Sequence, residues 1–134
     1  MKSYIVDAVA FLAFLADQLP TKANDIFKKA EEKQAKLLLP SIALGEMLYT
    51  IYKGKDIFGK NVPLDKIDFL FLILEEGDIL ELVDLDVRAW RIFNGLTIPE
   101  LHDRMIVTSF IYHKATAILT NDAEIAEAVP IIWD

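Results

Sequence analysis

Short apolar runs alternate with helix-length segments along this chain, and that alternation restricts the fold more than any other feature. Residues 3–6, Leu37-Leu38-Leu39, residues 79–82, Ala117-Ile118-Leu119 and a last run near 130–133 read as short buried strands. Between them, residues 9–15, 21–36, 42–52, 64–75 and 87–94 read as helices, and another short one starts near Ala123. In the second of these, Ala23, Ile26, Phe27 and Ala30 fall on one face, and Lys28, Lys29, Lys33 and Lys36 are its wet side. Thr97 and Glu100 can form a capping box with Pro99 in the first turn, predicting a helix to about Lys114, where His113 and Lys114 suit its negative end. Residues 53–63 hold two glycines and a proline and are expected to be a loop.

Such alternation implies parallel pairing with helices on both faces. The expected fold is a three-layer α/β/α sandwich with a central, mostly parallel sheet of four to five short strands, formed by residues 1–134 as one domain. Sites in such sheets form outside the carboxyl ends of the strands. Asp7 and Asp122 both fall at such ends.

Composition narrows the chemistry. The chain has no cysteine, which excludes disulfides, thiolate zinc sites and a cysteine nucleophile. With two histidines, His102 and His113, any metal site must be mostly oxygen-ligated, and oxygen ligands favour Mg²⁺ or Mn²⁺ over zinc. A net charge of -7 argues against avid, nonspecific nucleic-acid binding but is compatible with a local basic rim or a basic protein partner. The apolar run 8–16 is bracketed by Asp7 and Asp17 and is too short to span a bilayer, so a soluble cytoplasmic protein with no membrane association is expected.

Four acids stand out by their surroundings. Asp7 is the only charged residue between Lys2 and Asp17, Glu46 between Lys36 and Lys53, and Asp122 between Lys114 and Glu124. Asp103 heads the uncharged stretch from Met105 to His113. A lone buried carboxylate costs several kcal/mol unless it is paired, hydrogen-bonded or metal-bound. Gathered together the four would repel one another, and a divalent cation would remove that conflict. Each also has an ordinary explanation. Asp7 and Asp122 could be turn or cap residues, Glu46 could lie on an exposed helix edge, and Asp103 could pair with Arg104 or sit on a solvent-facing stripe beside Glu100.

In YIVDAVAFLAFL, LLLPSIALGEMLY and IPELHDRMIVTSFIYHKATAILTND, with a closing PIIWD, the chain resembles a PIN domain nearly end to end. Within that group it is similar to VapC-type toxin ribonucleases of toxin–antitoxin pairs. The resemblance maps the family's acids onto Asp7, Glu46, Asp103 and Asp122. One departure is that Ala8, Val9 and Ala10 follow Asp7, where the family usually has a Thr or Ser. Thr120 matches the hydroxyl of the fourth motif and would orient a ligand or cap the next helix.

The resemblance implies a Mg²⁺- or Mn²⁺-dependent endoribonuclease. Asp7, Glu46 and Asp103 would be the main metal ligands, with Asp122 bound directly or through water, and the metal would activate water for in-line attack on a phosphodiester. Arg104 would neutralise the acids, touch substrate phosphate or form a structural ion pair. His102 is read as structural or a rim contact. Lys53, Lys55 and Lys60 are the expected RNA-contacting rim, with a solvated loop as the ordinary alternative. RNA, a cognate antitoxin and a second copy in a homodimer are the implied partners. Leu12, Phe14, Leu15 and the run Phe69-Leu70-Phe71-Leu72 could supply interface or core.

Two other functional classes stay open. A PIN-like binding module with weak or no catalysis is suggested by the missing hydroxyl after Asp7. A phosphoacceptor signalling domain is disfavoured, because it wants adjacent acids after the first strand and a late strand-end lysine.

Overall fold

The computed structural model describes residues 1–57 and 59–134, with the backbone alone at Ile57. Its elements run β1 (Lys2–Val6), α1 (Ala8–Leu15), α2 (Thr21–Glu31), β2 (Ala35–Pro40), α3 (Ser41–Tyr52), β3 (Asp56–Ile57) and β4 (Lys60–Asn61). There follow α4 (Asp65–Glu76), β5 (Leu80–Val83), α5 (Val87–Gly95), α6 (Leu101–Tyr112), β6 (Ala117–Leu119), α7 (Ala123–Ala128) and β7 (Ile131–Ile132).

Five strands form one sheet in the order β5-β2-β1-β6-β7, and every pairing in it is parallel. Consecutive strand residues point to opposite faces, so the burial of Tyr4, Ile5 and Val6 in succession means that both faces of β1 are covered. The expected three-layer sandwich is the observed one. Its core joins the central strands to Phe11, Phe27, Met47, Leu70 and Ile106 from the helices. Among the described residues, no helix is long and apolar enough to cross a membrane.

Several boundaries differ from the sequence reading. Helix α2 stops at Glu31 because Lys33 adopts a left-handed φ of 61°, and residues 35 and 36 join β2 instead. Part of 53–63 is a small antiparallel hairpin, β3 against β4, with Gly59 at φ 82° in its turn. Phe58 in this segment lies outside the described residues.

Helix α6 begins at Leu101, not after Thr97. Glu100 is its cap, accepting the Asp103 amide at 2.6 Å. A start at Thr97 would need helical backbone at Ile98, which the following Pro99 disfavours. The helix also ends at Tyr112, with His113 as its C-cap and Lys114 at φ 53°.

Candidate functional site

Because β1 and β6 are adjacent and parallel, with Val6 beside Leu119, their carboxyl ends emerge together. The Asp7 amide continues the ladder by donating to the Leu119 carbonyl at 3.2 Å. Thr120 follows directly, fully buried, and its Oγ1 donates to Asp7 Oδ2 at 2.8 Å. The Ala8 amide donates to Asp7 Oδ1 at 2.8 Å, so Asp7 also caps α1. Thr120 Oγ1 in turn accepts the Asp122 amide at 3.2 Å. The hydroxyl of the fourth motif thus meets Asp7 directly, while the residues after Asp7 carry none.

Asp122 is itself the N-cap of α7. Its Oδ1 accepts the Glu124 and Ile125 amides at 2.8 and 3.0 Å. The cap reading and the site reading were alternatives in the sequence; the fold puts both demands on one carboxylate. Helix α3 brings Glu46, and the first turn of α6 brings Asp103. Glu46, Asp103 and Asp122 line one cavity of about 430 Å³. Asp7 is half-buried behind that lining, close enough for its charge to act on both Glu46 and Asp103.

Three further titratable side chains line this cavity, Glu100, His102 and Glu124, together with Ala123. Glu100 entered the sequence reading as a capping partner and as a neighbour of Asp103 on a solvent-facing stripe, not as a site residue. Its spacing from Asp103 was the available signal, since an N-cap and the third helical residue stand at the same helix end. His102 Nδ1 and Glu100 Oε1 lie 2.8 Å apart.

The electrostatics are those of like charges held together. Burial raises the Asp103 carboxyl to about 7, helped by the charges of Asp122 and Glu100, a proton shared with Asp122, and the charge of Asp7. Burial also raises Asp7, against the hydrogen bonds from Thr120 and Ala8, and the charges of Asp122 and Glu100 add to the rise. Burial raises Glu46 as well, opposed by His102 and assisted by Asp7 and Glu100. The Glu100 hydrogen bond raises His102 against partial burial, with the Glu46 charge acting in the same sense. Burial would raise Glu100, but the Asp103 amide and His102 outweigh it and hold that carboxyl below its ordinary value.

Arg104 is not part of this constellation. Its Nε donates to the Phe93 carbonyl at 2.8 Å, and another guanidinium nitrogen donates to the Leu96 carbonyl at 2.5 Å. The guanidinium also lies 4.7 Å from the centroid of the Phe93 ring. These contacts close the C-terminal end of α5, where carbonyls lack helical partners. Adjacent helix positions point about 100° apart, so Arg104 cannot share Asp103's direction.

The lysines divide. Lys55 lines an opening next to the acidic cavity, and Lys53 Nζ lies 5.2 Å from the centroid of the Tyr49 ring. Lys60 is exposed on β4 and lines neither opening.

The donor set matches a hard divalent cation in kind and charge. It is carboxylate oxygen apart from His102, and three of its acids have raised pKa values partly because they face other acids. Among the described residues, no group of three or more such side chains stands ready-made to hold a metal ion. The match is therefore in charge and donor type, not in coordination geometry.

Acids from separate segments are gathered at the carboxyl edge of a parallel sheet, where sites in such folds form. The chain belongs to the PIN domain family, whose model matches residues 4–129. Nucleases of this family generally need a divalent metal. The fold is shared with a chain in the crystal structure of VapBC2 from Rickettsia felis bound to a DNA fragment from their promoter. That similarity has a TM-score of 0.71 at 17% identity, covering 98% of this chain and 99% of that one. It is also shared with VapC20 of Mycobacterium tuberculosis, a Sarcin-Ricin loop cleaving toxin, with a TM-score of 0.61 at 11% identity over 98% and 99% of the two chains. No curated protein matches the chain.

Proposed function

We propose that this chain is a Mg²⁺- or Mn²⁺-dependent endoribonuclease, the toxin of a VapBC-type toxin–antitoxin pair in the cytoplasm. The observation that carries the reading is the convergence of Asp7, Glu46, Asp103 and Asp122 at one edge of the sheet around a single cavity. When bound, a divalent cation supplies positive charge against the scissile phosphate and lowers the pKa of an attacking water.

Asp7, Glu46 and Asp103 are the proposed main ligands, and Asp122 contributes directly or through water. Thr120 holds one Asp7 oxygen in place and favours its ionised form against the burial that raises its pKa. His102 hydrogen-bonds to Glu100 at the cavity wall, and in its protonated form it offsets part of the negative charge that a phosphate would meet.

The proposed partners are RNA, a cognate antitoxin whose basic tail enters the acidic cavity, and a second copy of the chain. An apolar cavity of about 420 Å³ between α1, α2 and α4 supports a protein partner. Phe69 and Leu72 line it and remain exposed, with Phe71 exposed nearby, whereas Leu12, Leu15 and Leu70 are core.

The test is cleavage of a panel of structured RNAs with Mg²⁺ or Mn²⁺, beside EDTA controls and Asp7→Asn and Asp103→Asn variants. Cleavage is expected only with metal and both acids intact. Cleavage that survives EDTA or either substitution overturns the mechanism, and a panel left intact favours the binding module.

A further inference from the structure

A second concavity of about 560 Å³ adjoins the acidic cavity. Glu46 and His102 line both. Their chemistry is opposite. Past Glu46, the lining turns to Tyr49, Thr50 and Lys55, with Ile42 and Gly45 on the near side.

Tyr49 sits three residues beyond Glu46 on the same helix, about 4.5 Å further along its axis. It is not a core aromatic, being 58% exposed. Lys53, one turn on, places its ammonium over the ring. Gly45 presents bare backbone to this surface, with open space where a Cβ would project.

An exposed aromatic next to cations is the construction that takes single-stranded nucleic acid, since a base stacks on the ring and the cations follow the phosphates. The carboxylates cannot hold the rest of the strand, because they repel it. A neutral or basic surface beside the cavity suits the flanking strand, and the wall at Tyr49 offers one that carries an exposed aromatic ring and Lys55.

We propose that the concavity beside Glu46 is a nucleobase subsite, in which an unpaired base next to the scissile phosphate stacks on Tyr49 while Lys53 and Lys55 face the flanking phosphates. The inference rests on the ribonuclease reading and adds to it a structural requirement on the substrate. A base inside a duplex has both faces covered by its neighbours and cannot enter.

The test uses the full chain with Asp7→Asn as a binding-only background, Mg²⁺ present, and a short labelled single-stranded RNA of mixed sequence as the probe, beside a duplex of the same sequence. Tyr49→Ala is expected to raise the Kd for the single strand about tenfold, the size of one lost stacking contact, and to leave the weaker duplex binding unchanged. Tyr49→Phe should restore binding to within about twofold, because the ring and not the hydroxyl stacks. Lys53→Ala with Lys55→Ala should weaken both probes and flatten their salt dependence, while Lys28→Ala on α2 should change neither.

In cleavage by the otherwise unaltered chain, an abasic site beside the cut should lower kcat/KM about tenfold. It should have no further effect in Tyr49→Ala. If RNA is cleaved but Tyr49→Ala and the abasic site leave kcat/KM unchanged, the subsite is overturned and the ribonuclease reading stands. Equal losses on single strand and duplex also overturn the subsite. A chain that neither binds nor cleaves any RNA overturns both.

Discussion

Asp7 shows how much one carboxylate is asked to do here. It caps α1 through Oδ1, accepts Thr120 through Oδ2, and sits among other acids that push its proton affinity up. Thr120→Val keeps the shape and removes the donor. The ionised form of Asp7 then loses a hydrogen bond, its pKa rises further, and the acidic limb of the cleavage–pH profile should move to higher pH. A pH–rate series on the variant checks this, and an unmoved limb would mean that Asp7 ionisation does not limit the reaction. Asp122 offers a cleaner separation of two roles. Asp122→Asn keeps a good cap and drops the charge, so stability should hold while activity falls. Asp122→Ala should lose activity and also about 1 kcal/mol of stability, read by thermal denaturation.

At the scale of elements, the junction of α5 and α6 was the least legible part of the chain. Residues 97–100 carry the pattern of a capping box, yet Pro99 moves the helix start to Leu101 and hands the cap to Glu100. That shift places Glu100 at the cavity and sends Arg104 to the carbonyls ending α5. Arg104→Ala should therefore cost about 1–3 kcal/mol of stability, the range for hydrogen bonds from a charged donor, with kcat per folded molecule largely kept. Denaturant unfolding and initial rates below the transition separate the two. A variant that is stable but inactive would return Arg104 to the site. The five strands of the main sheet, by contrast, were each located to within a few residues, because apolar runs buried on both faces leave a signal in the order of residues alone.

At the scale of the whole molecule, the acidic site is a stability cost set by pH. Asp7, Glu46 and Asp103 all bind protons more tightly folded than unfolded, so the folded state holds extra protons between the two sets of pKa values. Without metal, stability should fall as pH rises from the ordinary carboxylate range, 3.8 for Asp103, to about 7. His102 acts in the same sense, because its raised pKa gives stability that is lost as pH rises past its folded value. Glu100 opposes them, but its contribution is complete once pH exceeds its ordinary value. Thermal midpoints in EDTA across this range should show the decline, and Asp103→Asn should reduce it. Added Mg²⁺ or Mn²⁺ should raise the midpoint at neutral pH by mass action and do so less in Asp103→Asn. A flat profile in EDTA would mean that the acids are relaxed by solvent and do not confront one another.

The sequence by itself determined the order of strands and helices, the parallel layered fold, and which four acids sit in apolar company. Those properties follow from periodicity and burial, which are written in neighbouring residues. Only the tertiary structure decided which groups meet. Thr120 reaches Asp7 across 113 positions because β1 and β6 lie side by side. Glu100 and His102 join the cavity, and Arg104 leaves it, through the angle at which α6 starts. Tyr49 and Lys55 line the adjoining concavity only because α3 and the segment after it run along its rim. Strand pairing and helix rotation are set by the packing of the whole core, and a side chain's partners depend on both.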